Sequence, residues 1–392
     1  MNICHVLASL EVGGMERMVC TLVSAQVGSG DQSSVFCTDT EGEFFETVPA
    51  VSKTIARRRS IKLVVDWRVV KQLIAFVRKE NIDILHAHNS LGQLYSVIAS
   101  IYLRIPVVVT YHGQASMGNN RLHLLRRVLC RFSKCVIAIS KDVEMLLLGE
   151  KVVRPAKLHT VHNGVDIKSF VSDSDTGSPV RRALGISDET FVIGTVGRLA
   201  REKNYKMLIR AFAEASEACQ AKSKEQRGKS KEKDSADSAS LREIDLKLLL
   251  VGDGPERERL AQFAFDEGLA DRVIFAGQQS DMKSYYEAMD VFCLTSNTEG
   301  TSIALIEASC HGLPAIVTDV GGNSEVVKDG VSGIVVGVND AEAMSSAMIK
   351  IINDISLGIK MGQAGVKHCS AKYSASGMAS EYKGIYQEAL SM

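Results

Sequence analysis

Two glutamates eight positions apart, Glu299 and Glu307, frame the stretch of this chain that could carry the most chemistry, Ser296–Ala308. It follows an apolar run, Asp290–Thr295, and opens into a helical pattern reaching Gly312-Leu313-Pro314. The reading is a strand, a loop bearing one carboxylate, and a helix bearing the second about two turns further on. The backbone N–H groups of Gly300, Thr301, Ser302 and Ile303 would then lie at a helix N-terminus, where partial positive charge collects. Amides so placed suit phosphate oxygens, and carboxylates suit sugar hydroxyls. A ligand holding both groups would fit. Glutamates near a helix start also serve as ordinary caps and dipole partners, so the stretch alone does not decide.

Other groups offer compatible chemistry. Gly197-Arg198-Leu199-Ala200-Arg201-Glu202-Lys203-Asn204 leads into an apolar-periodic helix. Arg198 presents a planar fork for two phosphate oxygens and Lys203 a compact charge, a pair that could hold a diphosphate without a metal. A solvated surface pair is the plainer alternative. Gly13-Gly14 after the first strand run would let a backbone approach a ligand closely, or form only a turn. The spacing there lacks G-x-G-x-x-G, which weighs against a dinucleotide cofactor and a dehydrogenase. His112, in Thr110-Tyr111-His112-Gly113, stands at a strand end where it could contact a substrate or adjust a proton, although structural histidines are commoner. Gly252-Asp253-Gly254-Pro255 and Gly277-Gln278 end further strands and could line a nucleotide pocket. The D-x-D pattern Asp173-x-Asp175 lies in linker sequence, so no catalytic metal is expected.

These residues need elements to position them. In residues 1–165 short apolar runs at Ile3–Leu10, Ser34–Thr38, Ile82–His88, Val107–His112, Val136–Ser140 and Leu158–His162 alternate with helical segments such as Trp67–Arg78 and Leu91–Leu103. The pattern repeats at Phe191–Val196, Leu246–Gly252, Val273–Gly277, Val291–Thr295, Ala315–Thr318 and Gly333–Val336. Such alternation predicts parallel sheets wrapped by helices. The expected class is α/β, with two Rossmann-like doubly wound domains. The first covers 1–165, a Ser/Asp/Gly-rich linker 166–180, and the second 181–370, with a flexible insertion at about 222–240. Residues 371–392 form a helix expected to pack back toward the N-terminal domain. Ligands of such sheets sit beyond the carboxyl ends of the strands, where every group named above falls.

Composition narrows the classes. The 392 residues, 45% hydrophobic and 23% charged, are those of a globular chain large enough for two cores. Net charge is zero, yet residues 1–165 hold 20 Lys and Arg against 13 Asp and Glu, and the remainder 26 against 33. A first half at +7 suggests an anionic partner or attraction to the second half at −7. Arg121, Arg126, Arg127, Arg131 and Lys134, set among leucines, could dock on an anionic membrane or form the solvated face of a packed helix. Nine cysteines without a C-x-x-C pair read as reduced, buried thiols. No signal peptide or apolar run of membrane-spanning length is recognised, so a cytoplasmic chain is expected, with association at the cytoplasmic membrane face as an open alternative. No nucleic-acid partner is expected, since the charges of 222–240 are mixed.

Over almost its whole length the chain resembles the retaining glycosyltransferases of the GT-B fold, in glycosyltransferase family 4 (glycosyl transferases group 1). The family's E-x7-E element matches Glu299 to Glu307 and continues through Gly312 and Pro314. Its glycine-glutamate signature matches Gly321-Gly322-Asn323-Ser324-Glu325, its G-R-L with lysine matches Gly197-Arg198-Leu199 and Lys203, and its G-x-G-P matches Gly252–Pro255. Asn163-Gly164-Val165-Asp166, Gly13-Gly14 and His112 complete seven matches in order. The resemblance implies a hexosyltransferase-type enzyme with two lobes facing a central cleft, and no cofactor beyond a nucleotide-sugar co-substrate. It implies Arg198 and Lys203 on the donor diphosphate and Glu307 on the ribose hydroxyls. Glu299 and the amides after Gly300 would orient the transferred sugar, Gly14 would admit the phosphate and acceptor, and His112 would contact the sugar. The donor it implies is a UDP-sugar, with GDP-mannose second; the acceptor is a glycan or lipid-linked sugar in surface polysaccharide or lipopolysaccharide synthesis. Thr301-Ser302-Ile303 departs from the family's usual Phe or Leu with Gly or Pro, leaving the donor sugar open. Another GT-B enzyme, such as a phosphorylase or disaccharide-phosphate synthase, and a non-catalytic binding module are the alternatives.

Overall fold

The computed structural model describes residues 1–57, 65–113, 120–170, 178–231 and 244–392, with the backbone alone at 120–122 and 222–231. The described residues form two compact units. One comprises Met1–Asp166, Glu299–Ile303 and Ala371–Met392; the other comprises Ile167–Thr298 and Ala304–Ser370.

The first unit holds seven strands: β1 (Asn2–Leu7), β2 (Gln32–Cys37), β3 (Lys53–Ile55), β4 (Ile84–Ala87), β5 (Val107–Tyr111), β6 (Cys135–Ala138) and β7 (Leu158–Thr160). They lie in the order β3-β2-β1-β4-β5-β6-β7 with every pair parallel. Strands covered on both faces read as near-continuous apolar runs, as Val107, Val108 and Val109 do here. The helix Trp67–Lys79 buries Val69, Val70, Leu73, Phe76 and Val77, a spacing that puts one stripe on the sheet, and Asp66 caps it by accepting from the Arg68 N–H at 3.0 Å. The C-terminal helix Ala375–Ser391 joins this unit, burying Met378, Ala379, Tyr382, Ile385 and Tyr386.

The second unit holds β8 (Phe191–Val196), β9 (Leu246–Val251), β10 (Val273–Gly277), β11 (Val291–Leu294), β12 (Ala315–Thr318) and β13 (Gly333–Val336), in the order β10-β9-β8-β11-β12-β13 and again parallel. Its core joins Leu248 and Leu250 of β9 to Leu208, Phe212 and Ala215 of the helix Tyr205–Lys231.

Three expectations change. Strand β3 is not among the apolar runs. Residues 222–231, expected in a flexible insertion, continue the helix that begins at Tyr205, while 232–240 lie outside the described residues. Glu299–Ile303, expected within a second domain, gather with the first unit instead, because they bond to its strand ends. Asp173 and Asp175 lie outside the described residues. All nine cysteines are thiols outside any disulfide, eight buried and Cys20 partly so. Among the described residues no helix is long and apolar enough to cross a membrane.

Candidate functional site

Strand order reverses between β8 and β11 in the second unit, and open parallel sheets bind ligands in the crevice that such a reversal leaves. The loops at that point are those carrying the expected cations and leading to Glu299, and they are tied together. Thr295 Oγ1 donates to the Lys203 carbonyl at 2.9 Å, and the Asn297 N–H donates to the Glu202 carbonyl at 2.7 Å. Asn204, left-handed at φ 50°, sends its amide to Asn297 Oδ1 at 3.2 Å and Asn339 Oδ1 at 2.7 Å. Asparagine tolerates that backbone better than most residues, and it turns the single 3₁₀ turn Arg201–Lys203 into the long helix. Lys203 is half-buried at this entrance, and Arg198 is exposed.

The β9 loop moulds the Arg198 loop. The Leu199 N–H donates to the Asp253 carbonyl at 2.9 Å, and the Glu256 N–H donates to the Leu199 carbonyl at 3.0 Å. Gly252, at φ 133°, lies so close that a Cβ would collide with the Gly197 carbonyl, and one on Gly254 would collide with Leu199. Gly252–Pro255 is therefore more than a turn: its glycines let two loops pack backbone to backbone.

Glu307, in the helix Ile303–Cys310, is buried at 3% exposure, and its Oε2 accepts from Tyr286 Oη at 2.8 Å. A hydrogen bond from a wholly buried phenol fixes this side chain.

In the first unit the order reverses between β1 and β4. Gly13, extended, precedes the helix Gly14–Gly28. A Cβ on Gly13 would strike the Glu16 carboxylate, which folds back over the helix start and whose pKa is pushed up by burial. A Cβ on Gly14 would meet no described atom within 4 Å. That carboxylate is the movable end of a flexible side chain, so packing does not require glycine at 13, while the open space at Gly14 leaves the helix N-terminus open to approach.

His112 follows β5, and the Glu299 loop docks beside it. Thr301 Oγ1 donates to the Ile139 carbonyl at 2.9 Å, and Asn163 Nδ2 donates to the Thr301 carbonyl at 3.1 Å. A Cβ on Gly300 would fall 2.6 Å from the His112 carbonyl and 2.8 Å from Ile139 Cδ1, so only glycine allows this approach. Thr301, Ser302 and Ile303 are buried and Glu299 half-buried. The expected residues fall into two groups. Gly13, Gly14, His112 and Glu299–Ile303 belong to the first unit, and Arg198, Lys203 and Glu307 to the second.

Sequence reasoning missed a buried polar cluster behind His112. His5, His86 and His88 are at most 2% exposed, and His5 of β1 pairs in register with His86 of β4. The signal available was the alternate spacing of His86 and His88, which puts both on one face of a strand. Two groups among the described residues have spacing compatible with a metal: His5, His86 and His88, and Cys135, His159 and Glu388. In the second, burial pushes the Cys135 thiol up to about 11.

A family model described as glycosyl transferases group 1 matches residues 179–368, and one described as glycosyltransferase family 4 matches residues 12–169. The UDP-Gal:alpha-D-GlcNAc-diphosphoundecaprenol alpha-1,3-galactosyltransferase of Escherichia coli is 29% identical over 309 residues, 77% of this chain and 74% of that protein. The GDP-mannose-dependent alpha-(1-6)-phosphatidylinositol monomannoside mannosyltransferase of Mycolicibacterium smegmatis is 30% identical over 277 residues, 66% of this chain and 64% of that one. Among solved structures, Anabaena Alr3699/HepE in complex with UDP-glucose matches with a TM-score of 0.79 at 19% identity, covering 100% of both chains, a likeness of fold.

Proposed function

The chain belongs to glycosyltransferase family 4 and has the GT-B fold, and on that premise we propose a retaining, metal-independent transfer of a sugar from a UDP-sugar to a glycan or lipid-linked acceptor, with GDP-mannose the second donor. The observation that carries this reading is the stitching of the Arg198–Lys203 loop to the strand end leading toward Glu299, at the switch point of the second sheet. Cations held on a rigid loop suit a diphosphate leaving group. A buried carboxylate one helix away, Glu307, suits ribose hydroxyls. The E. coli relative, whose name records a UDP-sugar donor, a lipid diphosphate acceptor and an α linkage, supports the donor class and a place in surface polysaccharide assembly. The M. smegmatis relative keeps GDP-mannose as the second donor.

In this mechanism the bond from the sugar C1 to the diphosphate breaks, and its electron pair stays on the phosphate oxygen. Arg198 and Lys203 stabilise that growing charge. The acceptor hydroxyl attacks from the same face, and its proton passes to the departing phosphate oxygen. Retaining glycosidases instead pair a carboxylate nucleophile with an acid about 5 Å away. Glu299 orients the sugar, His112 contacts it, and Gly14 opens the helix start to phosphate or acceptor. Purified protein offered several UDP-sugars and GDP-mannose is expected to release the free nucleoside diphosphate from one of them. Release from none, with turnover that instead requires inorganic phosphate, would replace the transferase with a phosphorylase.

Peripheral membrane docking belongs to the same proposal and rests on the helix Asn120–Phe132. Leu124, Val128 and Phe132 recur every four residues and are 66%, 45% and 51% exposed, beside exposed Arg127 and Arg131. An open groove of about 760 Å³ next to them adds Lys151, Arg154 and Lys157. An apolar stripe flanked by cations suits an anionic lipid surface. Arg126 is corrected: it is 3% exposed, on the inward face with Leu129 and Cys130. Half-buried Lys134 lies just past the helix, and the Arg121 side chain lies outside the described residues. Flotation with vesicles containing anionic lipid should carry the protein upward, and Leu124→Ser with Phe132→Ser should cut the floated fraction at least fivefold. Equal flotation with neutral vesicles would end this part of the reading.

A further inference from the structure

Behind His112 runs a continuous line of hydrogen bonds within the first unit. His112 Nε2 faces His88 Nδ1 at 3.2 Å, His88 Nε2 faces His5 Nδ1 at 2.9 Å, and His5 Nε2 faces Gln26 Oε1 at 2.8 Å. A branch runs from Gln26 Nε2 to Tyr386 Oη at 3.2 Å, on to His86 Nδ1 at 2.8 Å, from His86 Nε2 to Thr110 Oγ1 at 2.8 Å, and from Thr110 Oγ1 to Tyr382 Oη at 3.0 Å. The six ring nitrogens of His5, His86 and His88 all face a hydrogen-bonding partner, so these rings already have occupation other than metal ligation.

We propose that His88, backed by His5 and Gln26, is a positioning residue that locks His112 into the tautomer protonated at Nε2, leaving the Nδ1 lone pair to accept a hydrogen bond from a ligand hydroxyl. The steps follow from donor and acceptor identity. An amide oxygen can only accept, and Gln26 Oε1 also receives the Ser33 hydroxyl, so His5 Nε2 carries a proton. Burial holds the four rings neutral, with His5 lowered to about 4, His112 to about 3, and His86 and His88 far below the usual value. A neutral His5 then accepts at Nδ1, which requires His88 Nε2–H. A neutral His88 accepts at Nδ1, which requires His112 Nε2–H. The polarity of the whole line turns on Gln26. With its oxygen toward Tyr386 every proton would move to the opposite nitrogen, and His112 would become a donor at Nδ1.

The consequence for specificity rests on the transferase reading above. A lone pair at His112 favours a sugar carrying a free hydroxyl at the contacted carbon and disfavours a methyl ether or deoxy sugar there.

The test begins without substrate. In protein labelled with ¹⁵N histidine, and with His112 assigned from the spectrum of His112→Gln, long-range ¹H–¹⁵N correlations should show a pyrrole-type Nε2 and a pyridine-type Nδ1. His88→Gln retains an acceptor and a donor on one amide, and should preserve the His112 tautomer and turnover within about twofold. His88→Leu retains neither. It should mix the tautomers and lower kcat roughly tenfold with KM for the nucleotide sugar little changed. A pyrrole-type Nδ1 on wild-type His112, or an unchanged His112 spectrum in folded His88→Leu, overturns the proposal. The expected tautomer in a protein that turns over no nucleotide sugar would sustain the relay and remove the transferase reading.

Discussion

Alanine at Lys203 is expected to lower turnover of the nucleotide sugar by about a hundredfold or more, the size set by removal of one fixed donor from a developing oxyanion. The argument rests on rigidity. The Lys203 backbone is held through its own carbonyl by Thr295, and the preceding residue is held by Asn297. Its ammonium therefore starts from a fixed point and needs little reorganisation as the leaving oxygen gains charge. Because that charge grows only as the bond breaks, the loss should fall on kcat more than on KM. Arg198→Ala should cost less but still at least tenfold, since an exposed guanidinium is better screened by water and salt. Lys203→Arg, with charge kept but shape changed, should recover part of the rate. Circular dichroism and the thermal midpoint check that each variant folds. A folded Lys203→Ala enzyme with wild-type kcat would remove the lysine from the reaction.

How much of this was legible in the sequence depended on how local each feature is. The apolar runs mark twelve of the thirteen strands among the described residues, because buried parallel strands announce themselves by unbroken hydrophobicity. The exception, Lys53-Thr54-Ile55, is a three-residue edge strand with every residue half-buried, so it carries no run to detect. The helix from Tyr205 extends to Lys231 through Lys-rich sequence that composition alone reads as a solvated loop. Its Lys, Arg, Gln and Glu are good helix formers that offset Gly228 and two serines once a core-facing first half nucleates them. The E-x7-E spacing was readable, but the docking of Gly300 against the His112 carbonyl was not, since those residues are far apart in the chain. The histidine line failed for the same reason. His86 and His88 are neighbours in sequence, whereas His5 joins them only through the β1–β4 register, and Tyr386 only through the C-terminal helix. Arg126 was misjudged because charge counting ignores helix phase: three residues before Leu129, it turns inward with it.

Acidification from pH 7 to 5 is expected to destabilise the first unit steeply, and the neutral histidines supply the reason. His5, His86 and His88 are buried away from water, and their pKa values lie below the usual 6.5 because burial disfavours the charged ring. Between that value and about 4, an unfolded chain takes up protons that the folded unit refuses. Stability therefore rises with pH across this window, is fully present above about 6.5, and is lost as pH falls toward the folded values. Each refused proton contributes a slope of about 1.4 kcal/mol per pH unit, so with His112, which burial also holds neutral, four together reach about 5 kcal/mol per unit near pH 5.5. Glu16 and Glu381 act in the opposite sense, since burial raises their pKa values and the folded unit keeps their protons longer. They offset part of the slope that the histidines supply. Urea unfolding followed by far-ultraviolet circular dichroism at each pH reads the change. The midpoint should fall at each step from pH 7 through 6 to 5, and His86→Gln should reduce the slope by one proton's worth. A midpoint that stays level over that interval would mean that the unfolded chain gains no protons over the folded one, and the four rings could not then be held neutral by burial.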